Sequence, residues 1–239
     1  MTAKIVVLRP LRKAPDLSQP TDAAAEIAQQ ETRVMAALDT LREEIGRYRG
    51  LTQKPPVFMK DGEAKLLRSD ALQDARLYPN RFEMLKDMIS GGIGAEVGVQ
   101  TGNFSRFLLD DIGAQHLFLY DLRFDLTRQD VLDDARTTML VGDSSSNLGK
   151  AEDGSFDWIY IDGDHREIGV QRDIKAARAK IRPGGLLIFN DYAPWSIGEV
   201  MPYGVMPPVN ELINEGYPVA GFALAPHGYF DIAIRYSPL

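Results

Sequence analysis

The fold is decided by the stretch 95–102, which reads AEVGVQTG. A short apolar run ends there in Gly98 and Gly102, and an amphipathic stretch follows at 104–111. Glycine lets a ligand approach the backbone closely, and the first turn of a helix carries partial positive charge. The spacing G-x-x-x-G differs from the G-x-G-x-x-G of dinucleotide-binding turns, so it fits a pyrophosphate poorly. The stretch predicts a strand–turn–helix unit that holds another kind of ligand, and the alternative is a tight turn without a ligand.

Outward from this unit, short apolar runs alternate with amphipathic stretches. The apolar runs are 95–99, 117–120, 139–141, 158–161 and 186–189. The amphipathic stretches between them are 104–111, 126–135, 145–150 and 167–181. This alternation is typical of βαβ units around a buried parallel sheet. Two further runs, 219–224 and 229–235, flank a short turn, and a hairpin pairs antiparallel. We therefore predict a doubly wound, mostly parallel α/β sheet with an antiparallel C-terminal hairpin.

The N-terminal part has a different pattern. Residues 22–49 contain no proline and predict one long helix, whose apolar residues recur at heptad spacing: Ile27, Val34, Leu38, Leu41, Ile45 and Tyr48. Two interpretations stay open, because such a helix can pack on its own domain or form the contact of a homodimer. We assign an N-terminal arm and helix to 1–60 and the α/β domain to 61–239, and we predict a further helix at 63–77.

The composition excludes several classes of function. The chain of 239 residues has a net charge of −7, which disfavours non-specific binding to nucleic acid or to an anionic membrane. It contains no cysteine, which rules out disulfides, thiolate metal sites and cysteine nucleophiles. No apolar run reaches the roughly 18 residues that a membrane span needs, and the N-terminus lacks the order of a secretory signal. We therefore expect a cytoplasmic protein.

Polar residues follow the ends of the next two predicted strands. Asp121 ends the second strand, where an acid is placed to accept hydrogen bonds from ribose hydroxyls. Asp143 and Ser144 follow the third strand, where a carboxylate can accept a hydrogen bond from an adenine amine. Each of these alone could be a solvated loop residue. Because ligands of open α/β sheets bind outside the carboxyl ends of the strands, their succession along the chain predicts a nucleoside cleft.

Several segments together carry a family resemblance. They are EVGVQTG at 96–102, Asp121, GDS at 142–144, YIDGDH at 160–165 and RPGGLLIFNDY at 182–192. Over roughly residues 80–236 the chain resembles class I S-adenosylmethionine-dependent methyltransferases, above all the bacterial catechol-type and macrolide-sugar O-methyltransferases. The resemblance implies a seven-stranded sheet. It also implies that the cofactor's methionine part lies near Glu96, Gly98 and Gly102, its ribose near Asp121, and its adenine near Asp143 and Ser144.

The fourth and fifth predicted strands also end in acids, at Asp162 and at Asn190–Asp191. In the family these strands are neighbours, about 4.8 Å apart, so Asp162, Asn190 and Asp191 can converge on one ion. Oxygen ligands suit Mg²⁺, Ca²⁺ or Mn²⁺, and such an ion would lower the pKa of an acceptor hydroxyl. The alternative is a metal-independent enzyme of the same fold, in which the acids orient the acceptor directly.

His165 follows Asp162 at the spacing where the catechol-type relatives have a catalytic basic residue. Histidine titrates near neutral pH, so the resemblance implies a catalytic pair of His165 as the base and Asp162. The alternative is a loop histidine that hydrogen-bonds to Asp164.

The segment 192–206 supplies the predicted acceptor pocket. Its length and the aromatic side chains of Tyr192, Trp195 and Tyr203 are typical of a substrate-binding loop, and a lid packed on its own sheet is the alternative. We expect O-methylation of a sugar or of another small-molecule hydroxyl. A function of another class is a non-catalytic protein of this fold that assembles through the 22–49 helix.

Overall fold

The computed structural model describes residues 20–54 and 61–236. The chain divides into two compact units, Met1–Pro56 and Val57–Leu239. The first unit contains helix α1, Pro20–Thr52, which confirms the predicted N-terminal helix. Along this helix Leu38, Leu41 and Ile45 are half-buried, whereas Ile27 and Val34 are exposed. The role of α1 as the contact of a homodimer stays a prediction.

The second unit is built on an eight-stranded sheet in the order β1-β9-β10-β6-β5-β2-β3-β4. The strands are β1 Arg76–Tyr78, β2 Ile93–Val97, β3 His116–Asp121, β4 Thr137–Val141, β5 Phe156–Ile161, β6 Ile181–Phe189, β9 Val219–Ala223 and β10 Asp231–Arg235. Only β10 is reversed, since it pairs antiparallel with β6 and β9 and every other pair in this sheet is parallel. The predicted mostly parallel sheet with an antiparallel C-terminal hairpin is confirmed.

Helices connect the strands. They are α2 Arg81–Met88, α3 Asn103–Asp110, α4 Gln129–Leu132, α5 Ser144–Leu148, α6 Glu167–Lys180 and α7 Met206–Asn214. A separate two-stranded ladder of β7, Trp195–Ser196, and β8, Met201–Pro202, lies between β6 and α7. Within the described ranges no helix combines the length and the apolar character that crossing a membrane requires.

The core has two layers, one on each face of the sheet. Successive side chains of a strand point to opposite faces, so each central strand supplies both layers. On β5, Ile159 and Ile161 pack on one face with Val97 of β2, and Trp158 and Tyr160 pack on the other. Strands buried on both faces read as continuous apolar runs, which is why their positions were predictable from the sequence.

The segment before α2 differs from the prediction. Residues 63–77 contain no helix, and Arg76–Tyr78 instead adds a strand parallel to β9 as the eighth strand of the sheet. Amide groups of α7 hold the preceding extended chain, because Asn210 and Asn214 donate hydrogen bonds to the carbonyls of Lys65 and Leu66, at 2.7 and 3.0 Å. These long-range hydrogen bonds override the local helical pattern. Helix α7 also went unpredicted, since its first turn contains two prolines that read as a loop.

Candidate active site

The predicted site residues lie at one edge of the sheet. The parallel strands β4, β3, β2, β5 and β6 are consecutive neighbours, so their carboxyl ends share that edge. Glu96 is the next-to-last residue of β2, Asp121 ends β3, and Asp162 directly follows β5. Such an edge is where ligands bind in open α/β sheets.

The turn after β2 requires its glycines. Gly98 has a φ of 86°, and a Cβ there would collide with the carbonyl oxygen of Asp162. Gly102 has a φ of 75° and caps α3. Asp121 holds the turn between them, because its carboxylate accepts hydrogen bonds from the backbone N–H groups of Val99 and Gln100, at 2.8 and 3.0 Å. This contact gives Asp121 a structural role in the turn. Its carboxylate oxygens have further lone pairs that can accept hydrogen bonds, and the bond to ribose stays a prediction.

Glu96 is a buried acid with an unused oxygen. Its side chain is 1% exposed, and Oε2 has no hydrogen-bond partner among the described residues. Burial raises the pKa of Glu96 to about 8. An unpaired buried polar atom costs free energy, and at the carboxyl end of a central strand it is placed to meet a ligand. This atom, with the glycine turn, fits the methionine part of the predicted cofactor.

The predicted adenine residues already have partners within the protein. Asp143 caps α5 and accepts hydrogen bonds from the Ser146 N–H and the Ser145 hydroxyl, both at 2.8 Å. Hydrogen bonds from the serine side chains lower the pKa of Asp143 to about 2. The Ser144 hydroxyl donates to Asp173 of α6 at 2.7 Å, and burial raises the pKa of Asp173 to about 6. Asp173 was missed in the sequence, although an acid between the apolar residues of one helical face was a signal.

His165 lies between two carboxylates. Its Nε2 is 3.4 Å from Oδ1 of Asp162 and 3.7 Å from Oδ2 of Asp191, and its ring stacks on Tyr203 with centroids 4.6 Å apart. Burial lowers the pKa of His165, but the nearby carboxylates of Asp162 and Asp191 outweigh this effect and raise the pKa above its usual value. Burial also raises the pKa of Asp191 to about 6. The arrangement is that of a base with two acids that stabilise its charged form.

Asn190 forms a hydrogen bond with a different acid. It is 6% exposed, and its amide donates a hydrogen bond of 3.3 Å to Asp231, which is buried at the start of β10. Among the described residues no three histidines or acids are grouped as metal ligands. This hydrogen bond uses the NH₂ group of Asn190 and not its carbonyl oxygen, so metal binding by Asp162, Asn190 and Asp191 stays a prediction.

A second polar cluster at this edge was not predicted. The Tyr160 hydroxyl donates to Asp231 at 2.5 Å and accepts from Nη1 of Arg81 at 3.2 Å. Burial raises the pKa of Asp231 to about 7. A polar side chain inside an otherwise apolar strand, as at Tyr160 and Asp231, was the signal available in the sequence.

The three predicted acceptor residues lie in different surroundings. Tyr203 is 5% exposed, donates to Glu199 at 3.0 Å and stacks on His165. Trp195 lies half-buried on β7. Tyr192 instead turns into the core, where its hydroxyl donates to Asn210 of α7. The structure thus places the Tyr203 ring against His165, whereas the side chain of Tyr192 packs in the core.

The chain is similar to known proteins in one segment of its sequence and in its fold. Residues 95–192 match a family described as a methyltransferase domain. A candidate rRNA methylase from Clostridium thermocellum superposes with a TM-score of 0.53 at 12% identity, over 72% of this chain and 99% of that one. The O-methyltransferase from Thermotoga maritima, described as S-adenosylmethionine-dependent, gives 0.49 at 16% identity, over 69% of this chain and 68% of that one. Comparison with curated proteins gives no significant match. The first of these structures has the Rossmann-like methyltransferase fold found here.

Proposed function

We propose that the protein is a class I S-adenosylmethionine-dependent methyltransferase that methylates a hydroxyl oxygen of a small molecule such as a saccharide. The match of residues 95–192 to a family described as a methyltransferase domain supports this proposal. The observation that carries this proposal is the position of His165 between Asp162 and Asp191 at the carboxyl edge of the sheet. A hydroxyl is a weak nucleophile at neutral pH, so a base beside the acceptor is what O-methylation requires.

The cofactor-binding residues are assigned by position. We assign the methionine part to Glu96, Gly98 and Gly102, and the buried, unpartnered Oε2 of Glu96 supports this. The ribose is assigned to Asp121 at the end of β3, and the adenine to Asp143 and Ser144 after β4. When bound, S-adenosylmethionine supplies a methyl group on a positively charged sulfur.

The protein's part in the reaction is to remove one proton. The Nε2 of His165 faces the carboxylates of Asp162 and Asp191, so in the neutral ring it carries the hydrogen and Nδ1 is the free nitrogen. Nδ1 accepts the proton of the acceptor hydroxyl as the new C–O bond forms and the S–CH₃ bond breaks. The products are a methyl ether, S-adenosylhomocysteine and a protonated imidazole. The charges of Asp162 and Asp191, at 3.4 and 3.7 Å, stabilise that imidazolium until its proton passes to solvent. Tyr203 holds the ring by stacking and so fixes its direction.

Metal assistance by Mg²⁺ or a similar ion stays a prediction that rests on the family resemblance. No step of the proposed reaction requires a metal. His165 can accept the proton without one.

The N-terminal helix is proposed as a homodimer contact. The support is the heptad spacing on α1 together with the exposure of Ile27 and Val34, at 56% and 48%. This proposal is separate from the catalytic one, and either can fail alone.

The test of the catalytic proposal is release of S-adenosylhomocysteine from S-adenosylmethionine in the presence of a panel of sugars and phenols. We expect His165→Gln to lower the rate by roughly 10²–10⁴-fold, the range that general base catalysis supplies. His227→Gln, in the turn before β10, is the matched control and should keep the rate. A His165→Gln variant that turns over at the unchanged rate would remove histidine from the mechanism.

A further inference from the structure

Arg81 occupies an unusual position for an arginine. It is the first residue of α2, and its side chain packs over the aromatic ring of Phe104, with Cζ 4.7 Å from the ring centroid. Phe104 is the second residue of α3, directly after the turn that contains Gly98 and Gly102. The guanidinium therefore lies beside the glycine turn, over the carboxyl edge of the sheet.

The surroundings of Arg81 are acidic. Its charge acts on the carboxylates of Glu96, Asp162, Asp191 and Asp231. Burial raises the pKa of Glu96 to about 8 and the pKa of Asp231 to about 7, so at neutral pH Glu96 is mainly protonated and Asp231 is partly ionised. None of these carboxylates forms an ion pair or a hydrogen bond with the Arg81 guanidinium, whose hydrogen-bond partner among the described residues is the Tyr160 hydroxyl.

The hydrogen-bonding capacity of Arg81 is also largely unused. A guanidinium has five N–H groups in a planar fork. One nitrogen, Nη1, donates to the Tyr160 hydroxyl at 3.2 Å, and no described residue accepts from the others. A planar fork with free N–H groups matches a carboxylate, which can accept two parallel hydrogen bonds from it.

The bound cofactor would bring one carboxylate, on its methionine part, into a cleft lined with acids. Its sulfonium and ammonium groups suit such a lining, whereas the carboxylate needs a cation. We propose that Arg81, held by Tyr160 and Phe104, binds the methionine carboxylate of S-adenosylmethionine. This inference rests on the proposed function, because it requires the cofactor to lie on the glycine turn.

The test compares two ligands that differ in the amino-acid tail. S-adenosylhomocysteine carries the carboxylate, and 5′-methylthioadenosine lacks the whole tail. Calorimetry on the full chain should show that Arg81→Met weakens S-adenosylhomocysteine at least about tenfold, or ~1.4 kcal/mol, and changes 5′-methylthioadenosine by less than about twofold. Arg81→Lys should recover part of the loss, because it keeps the charge without the planar fork.

Matched controls separate this role from a structural one. Arg76→Met removes an exposed arginine, paired with Asp87, from β1 and should bind both ligands as the unchanged protein does. If Arg81 only braced Tyr160, both ligands would weaken together in Arg81→Met, and Arg81→Lys would not restore the difference between them. That result, or an unchanged affinity for S-adenosylhomocysteine, would overturn the inference alone. An unchanged protein that binds neither ligand would overturn the proposed function as well.

Discussion

Replacing Asp162 by asparagine should move the pH–rate profile of methyl transfer to lower pH. Two unit charges 3.4 Å apart attract by ~5 kcal/mol at an effective dielectric constant of about 20. The side chains of His165 and Asp162 are 17% and 29% exposed, so solvent screens much of this attraction. We therefore expect the pKa of His165 to fall in Asp162→Asn, by less than the unscreened attraction would give.

The direction of the change follows from which form of histidine reacts. Only neutral His165 accepts a proton, so activity is lost as pH falls through its raised pKa. With Asp162→Asn that pKa is lower, and activity persists to lower pH. Two measurements check this: the rising limb of kcat against pH, and the imidazole titration by NMR, with the signal assigned by its loss in His165→Gln.

Asp153→Asn is the control, because it removes an acid that is 77% exposed and pairs with Lys180. It should leave both curves in place. If the rising limb stays where it is in Asp162→Asn while the NMR titration of His165 moves, another group removes the proton and the reasoning is refuted. Complete loss of activity at every pH, restored by excess Mg²⁺, would instead assign Asp162 to a metal.

Three further outcomes are expected. Asp121→Asn should weaken the binding of S-adenosylhomocysteine by at least about tenfold, because it removes the charged acceptor of the Val99 and Gln100 N–H groups. An unchanged Kd by calorimetry would contradict the assignment of Asp121 to the cofactor. Activity should survive prolonged dialysis against EDTA, because His165 can accept the proton without a metal. A loss of activity that added Mg²⁺ reverses in the unchanged protein but not in Asp191→Ala would establish the metal. Deleting residues 1–50 should lower the mass measured by light scattering if α1 is the dimer contact, and an unchanged mass would contradict it.

The central strands and their tips were predictable because one local signal marks each of them. A strand buried on both faces needs an unbroken apolar run, and a polar residue directly after that run marks the tip. This holds at Asp121 and Asp162, and the structure gathers the ends of those strands at one edge. The glycine turn was predictable for a similar reason, since Gly98 and Gly102 both adopt positive φ.

The parts that escaped prediction depend on contacts distant in sequence. Strand β1 forms because Arg76–Tyr78 finds an open edge beside β9, a partner more than 140 residues away in the register of Arg76 with Gly221. The direction of the Asn190 amide depends on Asp231, which a later strand supplies. Likewise, nothing near Arg81 in the sequence indicates that Tyr160 and Phe104 will hold its side chain.

The most direct test of the central claim is to locate the cofactor on the chain by ultraviolet crosslinking. Protein mixed with S-adenosylmethionine labelled in the adenosyl group is irradiated, digested and mapped by mass spectrometry. The account predicts label within 96–104, 121–128 or 142–148, competed by S-adenosylhomocysteine. The account would be contradicted by label that S-adenosylhomocysteine prevents but that lies only on α1, or only on β1 and the start of β9.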